Sequence, residues 1–258
     1  MRLLRWIDQK PIGLTPDLDD DKRPPYAILS HTWDPDNSQE VTFAEVETVE
    51  GQQKTGYQKI GFCAEQARKD GISHCWVDTC CIDKTNLVEL SEAITSMYRW
   101  YHEAVKCYVY LPDVSYPQQD QGGDTYALWG PQFHASTWFT RGWTLQELLA
   151  PKTVEFYSRE GVWLGDKTTL ARQIHQITGI PVHALHGSSL TRFSTGERMR
   201  WAERRQTKKP EDRAYSLLGI FDVSISVIYG EGEKKAFRRL QREMQEESGE
   251  YALFMATK

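Results

Sequence analysis

One stretch determines how this chain is interpreted: Ser136-Thr-Trp-Phe-Thr-Arg-Gly-Trp-Thr-Leu-Gln-Glu-Leu-Leu-Ala150. Its spacing predicts one amphipathic helix, which ends before Pro151 because proline lacks an N–H and clashes with the preceding turn. Trp143 and Glu147 are four residues apart and share one face, whereas the leucines point the other way, towards a core. A carboxylate beside an indole on such a helix is a candidate pocket wall; the alternative is an ordinary amphipathic helix with one exposed glutamate.

Short apolar runs and helical segments alternate on both sides of this stretch. The runs are predicted as strands buried on both faces, because their apolar residues follow one another without alternation. They are Tyr26–Ser30, Cys75–Asp83, Cys107–Leu111 and Thr153–Tyr157, with a shorter one near Val182. The alternation predicts an α/β fold in which a parallel sheet is covered by helices on both faces.

The chain is expected to have three parts. Residues 1–25 are polar and contain proline, and they are predicted to be a surface lead-in. Residues 26–190 hold the alternating segments and form the core, in which the Gln-, Gly- and Pro-rich residues 113–130 are predicted to be a long loop. Residues 191–258 are predicted to be a helical extension that packs on the core.

The candidate site lies where the parallel strands end, because ligands of such sheets bind outside the carboxyl ends of the strands. Two loops begin there, at Ser30 and at Asp78, and they converge on the face that carries Glu147. The candidate substrate-binding residues are Ser30, His31, Trp33, Asp78, Asp83, Arg141 and Trp143. Structural alternatives stay open, because a histidine after a strand often only binds the neighbouring loop and loop aspartates often cap a turn or a helix.

The bulk composition argues against several classes of protein. A formal net charge of −5 disfavours a general nucleic-acid binder, whose affinity depends on neutralising phosphates. The sequence contains no run of about 18 apolar residues, so no membrane-spanning helix is expected. The first residues are too short in apolar side chains and too quickly charged for a signal peptide.

The five cysteines are expected to be reduced and buried, because their number is odd and they lie in apolar segments. None of them forms a C-x-x-C pair, and no metal site is predicted. The adjacent Cys80 and Cys81 leave one catalytic alternative open, a hydrolase that uses one of these thiols with His31. That alternative predicts inactivation by thiol alkylation.

Several blocks in the chain resemble the fungal heterokaryon-incompatibility (HET) domain. They are Tyr26-Ala-Ile-Leu-Ser-His-Thr-Trp33, Trp76-Val-Asp-Thr-Cys-Cys-Ile-Asp83, Arg141-Gly-Trp-Thr-Leu-Gln-Glu147, Pro210-Glu-Asp-Arg-Ala-Tyr-Ser-Leu-Leu-Gly219 and Tyr229-Gly-Glu-Gly-Glu233. The resemblance implies a cytoplasmic effector of self/non-self recognition that triggers programmed cell death, a form of innate immunity. In that family the domain often precedes a nucleotide-binding and repeat module, so an NLR-type sensor in a longer parent chain is expected. The sequence given has no G-x-x-x-x-G-K-[ST] motif.

HET domains in turn resemble the Toll/interleukin-1 receptor (TIR) fold, a flavodoxin-like parallel sheet. Tyr26 to His31 is similar to the first TIR strand, and Trp138 to Leu148 to the third TIR helix. TIR enzymes that cleave NAD carry a W-x-x-x-E element in that helix, and Trp143 to Glu147 matches it. The resemblance implies cleavage of NAD or NADP at the nicotinamide–ribose bond with Glu147 as the catalytic residue, no added cofactor, and activity that depends on assembly into a homo-oligomer.

A lone carboxylate suits this reaction, because the nicotinamide of NAD is already cationic and leaves as a neutral molecule. Positive charge then builds up on the ribose, and a fixed Glu147 carboxylate can stabilise it. Trp143 or Trp33 would supply an aromatic wall, and Arg141 or His31 would meet the pyrophosphate. The rival hypothesis is a non-enzymatic death-signalling module that acts through self-association and recruited partners, in which Trp143 and Glu147 are only a structural pair.

Overall fold

A computed structural model of the chain describes residues 1–7, 10–116 and 125–247. These residues form one sheet of seven strands: β1 (Leu4–Ile7), β2 (Lys10–Leu14), β3 (Ala27–His31), β4 (His74–Trp76), β5 (Lys106–Tyr110), β6 (Val154–Tyr157) and β7 (Trp163–Asp166). Their order across the sheet is β2-β1-β4-β3-β5-β6-β7. The four central strands are parallel, whereas β1, β2 and β7 pair antiparallel with their neighbours. The fold is therefore mixed α/β, as predicted.

Helices connect and cover these strands. They are α1 (Val49–Gln53), α2 (Tyr57–Lys69), α3 (Asp78–Cys81), α4 (Leu87–Glu103), α5 (Thr125–Ala135), α6 (Thr144–Leu149), α7 (Ala171–Thr178), α8 (Val182–Leu185), α9 (Thr195–Glu203), α10 (Asp212–Tyr215), α11 (Leu218–Phe221) and α12 (Glu233–Glu247), with 3₁₀ turns at Asp20–Lys22, Asn37–Gln39, Thr137–Thr140 and Leu190–Arg192. In the part of the chain described, none of the helices combines the length and the apolar character needed to cross a membrane.

The central strand β3 determines where a ligand site is expected. All five of its residues are buried, so both faces of the sheet are covered at this strand. The order β4-β3-β5-β6 corresponds to the 2-1-3-4 order of flavodoxin-like sheets, in which successive crossovers go in opposite directions from the first strand. The topology is compatible with a TIR-like fold, and it places the switch point at the carboxyl ends of β3 and β5.

The stretch quoted first is two short helices and not one. A 3₁₀ turn spans Thr137–Thr140, and α6 spans Thr144–Leu149. Between them Gly142 N donates to Gln206 O at 2.8 Å, and a Cβ on Gly142 would lie 2.4 Å from Thr207 Cγ2. The glycine therefore lets a distant segment approach the backbone here, which interrupts a helix that the local spacing predicts.

Two predicted strands are wrong in part. β4 ends at Trp76, and the chain then turns into α3, whose last residue Cys81 donates its N–H to Val77 O at 2.9 Å. The segment near Val182 is the helix α8. A short buried helix and a short buried strand are both continuous apolar runs, so periodicity alone does not separate them.

Residues 1–25, predicted to be a surface lead-in, contribute the β1–β2 hairpin to the sheet. β1 pairs with β4, and Leu3 and Leu4 are buried. β2 is an edge strand, a position where the missing N–H of Pro11 is tolerated.

The C-terminal region is helical from α9 to α12, as predicted for residues 191–258 as far as they are described. It packs on the rest of the chain, because α11 contacts α4 and Gln206 pairs with the segment before α6. Of the predicted loop 113–130, residues 117–124 lie outside the described ranges, and α5 begins directly after them.

We expect Gly219→Ala to separate α11 from α4. A Cβ at Gly219 would lie 2.0 Å from Tyr98 Cβ, so the helices would have to move apart at a cost of about 1–3 kcal/mol. Gly61→Ala is the matched control, because Gly61 lies inside α2 with open space around its Cβ, and it should gain about 0.5–1 kcal/mol. Urea denaturation of the three proteins measures both effects; equal stability of Gly219→Ala and wild type would contradict the close approach.

Candidate functional site

A cavity of ≈ 410 Å³ lies at the carboxyl end of β3, beside α4 and α6. Its volume falls within the range of small-molecule sites. Six of the residues predicted from the sequence line it: His31, Trp33, Asp78, Arg141, Trp143 and Glu147. The cavity thus lies where the sheet meets the loop after β3 and the helices α3 and α6, as the topology predicts.

A chain of hydrogen bonds fixes the Glu147 carboxyl group. Trp138 Nε1 donates to Ser30 Oγ at 2.8 Å, and the Ser30 hydroxyl donates to Glu147 Oε2. An indole N–H is only a donor, so Ser30 accepts from Trp138 and its own hydrogen is available to Glu147. Ser30 and Trp138 are both fully buried. Ser30 therefore acts as a positioning residue behind the cavity, although the sequence suggested direct substrate contact.

Glu147 lines the cavity but has little exposed surface, 7% of the residue. Burial raises the pKa of its carboxyl group to about 8, and the nearby charge of Asp78 adds to this effect. The hydrogen bond from Ser30 and the charges of Arg141 and Arg205 act in the opposite direction, towards a lower pKa. A glutamate with so perturbed a pKa in a cavity is typical of a functional site.

Asp78 is held as a carboxylate by three partners. His31 Nε2 lies 3.1 Å from Asp78 Oδ1, Trp33 Nε1 donates to Oδ2 at 3.0 Å, and Lys84 Nζ lies 3.6 Å from Oδ2. Burial acts to raise the pKa of Asp78, but the Lys84 charge and the hydrogen bonds outweigh it and lower the pKa well below its usual range. The other ring nitrogen of His31 faces Thr32 O at 3.2 Å. Both nitrogens of His31 are thus engaged within the protein, which favours a structural role over contact with a pyrophosphate.

Asp83 is not among the described residues that line the cavity. Its carboxylate accepts hydrogen bonds from Thr85 N at 3.0 Å and from Thr85 Oγ1 at 2.6 Å. These contacts close the turn that precedes α4. Asp83 therefore caps a turn, which is the structural alternative that the sequence left open.

Sequence reasoning missed the residues that complete the cavity. They are Asn37, Ile82, Lys84, Leu90, Ile94, Met97, Tyr101, Thr144, Lys208, Lys209, Asp212 and Tyr229. The α4 members, Leu90, Ile94, Met97 and Tyr101, recur at helical spacing, which marks one face of the helix but not what covers it. Asp212 and Tyr229 lie in the two C-terminal blocks that carried the HET resemblance, and that was the signal available for them. Tyr229 donates its hydroxyl to Asp212 Oδ1 at 2.9 Å.

Arg205 joins the C-terminal region to the helix of Glu147. Its Nη1 donates to Arg141 O and to Thr144 Oγ1, each at 2.8 Å, and the residue is 4% exposed. Burial lowers the pKa of its guanidinium to about 10, while the nearby Glu147 acts to raise it. The first turn of α6 is therefore held in place by a buried cation from outside the predicted core.

The five cysteines are buried and free, as predicted. Burial raises the pKa of the Cys80 thiol well above its usual value, and its Sγ donates to Val77 O at 3.9 Å. An inaccessible thiol that is harder to ionise than usual is a poor nucleophile. The structure thus disfavours the thiol hydrolase. Among the described residues, no group of three or more His, Cys, Asp or Glu side chains is placed to hold a metal ion.

Comparison with known proteins identifies the family. The profile of the family described as "Heterokaryon incompatibility protein (HET)" matches residues 26–126. Over 249 residues the chain is 53% identical to the Vegetative incompatibility protein HET-E-1 of Podospora anserina. The chain contains a HET domain. The alignment covers 96% of this chain and 18% of the Podospora protein, and no solved structure gives a significant match.

The residues matched by the HET profile form one side of the cavity. They include Ser30, His31, Trp33 and Asp78, which belong to β3, the loop after it and α3. Trp143 and Glu147 lie beyond the profile match, as do the lysines contributed by the C-terminal region. The cavity is therefore formed both by residues inside the profile match and by residues that follow it in the chain.

Proposed function

We propose that this HET domain acts in heterokaryon incompatibility by cleaving NAD or NADP at the nicotinamide–ribose bond, with Glu147 as the catalytic residue. The family profile and the Podospora relative support the role in incompatibility. The observation that carries the chemical proposal is the buried carboxyl group of Glu147, which is fixed by Ser30 and lines a cavity of ≈ 410 Å³ that Trp143 also lines.

The cavity offers each feature that this reaction needs. Apolar side chains of α4, among them Leu90 and Met97, provide a dry wall for a planar ring. As the neutral nicotinamide leaves, positive charge develops on the ribose, and the Glu147 carboxylate stabilises it in a site of low polarity. The neutral nicotinamide needs no proton from Glu147. Water then forms a new C–O bond at the ribose carbon and releases a proton to solvent, which yields ADP-ribose. No added cofactor is required, and NAD or NADP is the substrate.

In the cell, the proposed consequence is depletion of the dinucleotide and programmed death of the incompatible fungal cell. A domain with this activity must be silent until triggered, and we propose that self-association in the cytoplasm activates it. The chain spans 18% of the length of the Podospora relative, so a sensor module elsewhere in a longer parent chain would control assembly.

The test is nicotinamide release from NAD and from NADP by purified wild type and by Glu147→Gln, measured across a wide series of protein concentrations. Turnover by wild type whose specific activity rises with concentration, and its loss in an equally folded Glu147→Gln, would support the proposal. Absence of turnover, even when the protein is concentrated or artificially clustered, would replace it with the non-enzymatic death-signalling module.

The pH dependence of cleavage should report the pKa of Glu147. Because the ionised form is required and its pKa is about 8, kcat/KM should rise about tenfold per pH unit below that value and level off above it. Ser30→Ala removes the hydrogen bond that favours the carboxylate, so the profile should move to higher pH. Asp83→Asn, outside the cavity, is the control and should leave the profile in place. A pH-independent rate between pH 6 and pH 9 would contradict the assignment.

A further inference from the structure

The cavity carries more positive charge than its carboxylates balance. Arg141, Lys208 and Lys209, named here the cationic rim, all line it. No carboxylate of the described residues lies within 4.0 Å of a side-chain nitrogen of these three residues. Three cations that line one cavity without an acid in contact offer a site for an anion from outside the chain.

The direct contacts of the two lysines of the rim are with neutral groups. Lys208 Nζ donates to Asn37 Oδ1 and lies 5.1 Å from the ring centroid of Trp33. Lys209 Nζ lies 3.5 Å from the ring centroid of Tyr229. Burial lowers the pKa of Lys208, and repulsion from the Arg141 charge lowers it further, whereas Glu40 and Asp34 act to raise it. A bound anion would relieve this repulsion.

Three acids line the cavity, against four lysine and arginine side chains including Lys84. Asp78 is already bound by His31, Trp33 and Lys84. Glu147 holds its proton at pH 7 because its pKa is about 8. Burial raises the pKa of Asp212, whereas hydrogen bonds from Tyr229 and Trp143 and the charge of Lys209 act to lower it. The cavity is therefore cationic, although the chain as a whole has a formal net charge of −5.

We propose that the cationic rim is the subsite for the phosphate groups of the nucleotide, with Lys208 and Lys209 supplied by the C-terminal region. This inference rests on the proposed function, since the same cavity would hold the ribose beside Glu147. The three positive charges of the rim are enough to balance a pyrophosphate, which carries two negative charges in a dinucleotide. An arginine fork binds phosphate oxygens in pairs, and lysines add point charges around it. The core predicted from the sequence ends at residue 190, so it would supply only Arg141 and neither of the two lysines.

Binding of inorganic pyrophosphate and of ADP-ribose, measured by calorimetry, tests the subsite without requiring turnover. Wild type should bind both, more weakly as salt is raised. Lys208→Met should weaken both affinities about 10- to 100-fold, the loss typical of a charge-assisted hydrogen bond. Lys209→Met should act in the same direction. Lys152→Met is the matched control. Lys152 is exposed just before β6, at the amino end of the parallel strands, whereas the cavity lies at their carboxyl ends.

Kinetics then separate the failure of the subsite from the failure of the proposed reaction. Lys208→Met should raise KM for NAD by a similar factor with little change in kcat, provided thermal melts show that the variant is folded. Nicotinamide release with an unchanged KM in Lys208→Met and Lys209→Met would overturn the subsite and leave the reaction standing. Binding of ADP-ribose without any nicotinamide release would support the subsite and overturn the reaction. Pyrophosphate binding that ADP-ribose does not displace would overturn the assignment to a nucleotide.

Discussion

Glu147→Gln is expected to abolish NAD cleavage while making the protein more stable at alkaline pH. Loss of one preorganised group that stabilises transition-state charge typically costs about 100- to 1,000-fold in kcat, and the amide cannot carry the compensating negative charge. The amide oxygen can still accept the hydrogen bond from Ser30, so the local geometry should survive. Nicotinamide release at pH 8 measures the activity, and thermal melts at several pH values measure the stability.

The stability gain follows from the raised pKa of Glu147. Between an ordinary pKa of 4.5 and the folded value of about 8, the unfolded chain has lost the proton and the folded chain has kept it. The free energy of unfolding therefore falls as pH rises through this window, by roughly 1.4 kcal/mol per pH unit for this one group. Glu147→Gln has no proton to lose, so by pH 8 it should exceed wild type by about 2–5 kcal/mol.

Glu65→Gln, on the exposed surface of α2, is the control for both measurements. It should keep full activity and show no comparable gain in stability at alkaline pH. A Glu147→Gln protein that is inactive and also less stable than wild type at pH 8 would indicate a structural glutamate. In that case the loss of activity would carry no information about catalysis.

Lys59→Met is expected to destabilise the protein by about 3–5 kcal/mol, because it leaves the buried Glu40 carboxylate without its counter-charge. Lys59 and Glu40 are 7% and 6% exposed, and Lys59 Nζ binds Glu40 Oε1 directly. Lys59 Nζ also donates to Thr32 O at 3.1 Å, and Glu40 Oε1 accepts from Asp34 N. The pair thus holds both ends of the loop that carries Trp33 into the cavity.

The double variant Glu40→Leu with Lys59→Met separates the unpaired charge from the loss of the side chain. Replacing a buried ion pair by apolar residues is often neutral, so the double variant should be more stable than Lys59→Met alone. Lys22→Met, which breaks an exposed pair with Asp19, is the control and should cost less than about 1 kcal/mol. Denaturant titration measures all three. A cost for Lys59→Met no larger than that of Lys22→Met would show that the pair is solvated.

The sequence by itself determined the fold class and where several of the helices begin or end. The four central strands lie where continuous apolar runs predicted them, since a strand buried on both faces must be apolar throughout. Asn86 caps α4 by accepting hydrogen bonds from Val88 N and Glu89 N, which the Asn-x-x-Glu spacing favours. Gly179 ends α7 with φ of 71°, a left-handed conformation that favours glycine. All of these signals act within about four residues.

Tertiary structure alone decided the chemistry of the cavity. That Trp143 and Glu147 lie on the same side of the chain was predictable, but the raised pKa of Glu147 comes from burial by segments far apart in the chain. The same holds for the Trp138–Ser30 hydrogen bond, which joins residues 108 positions apart, and for the arrival of Lys208 beside Asn37 across 171 positions. Local spacing records which face a residue occupies on its own helix or strand. It does not show which distant segment packs against that face. That packing determines which groups are desolvated, paired or left charged.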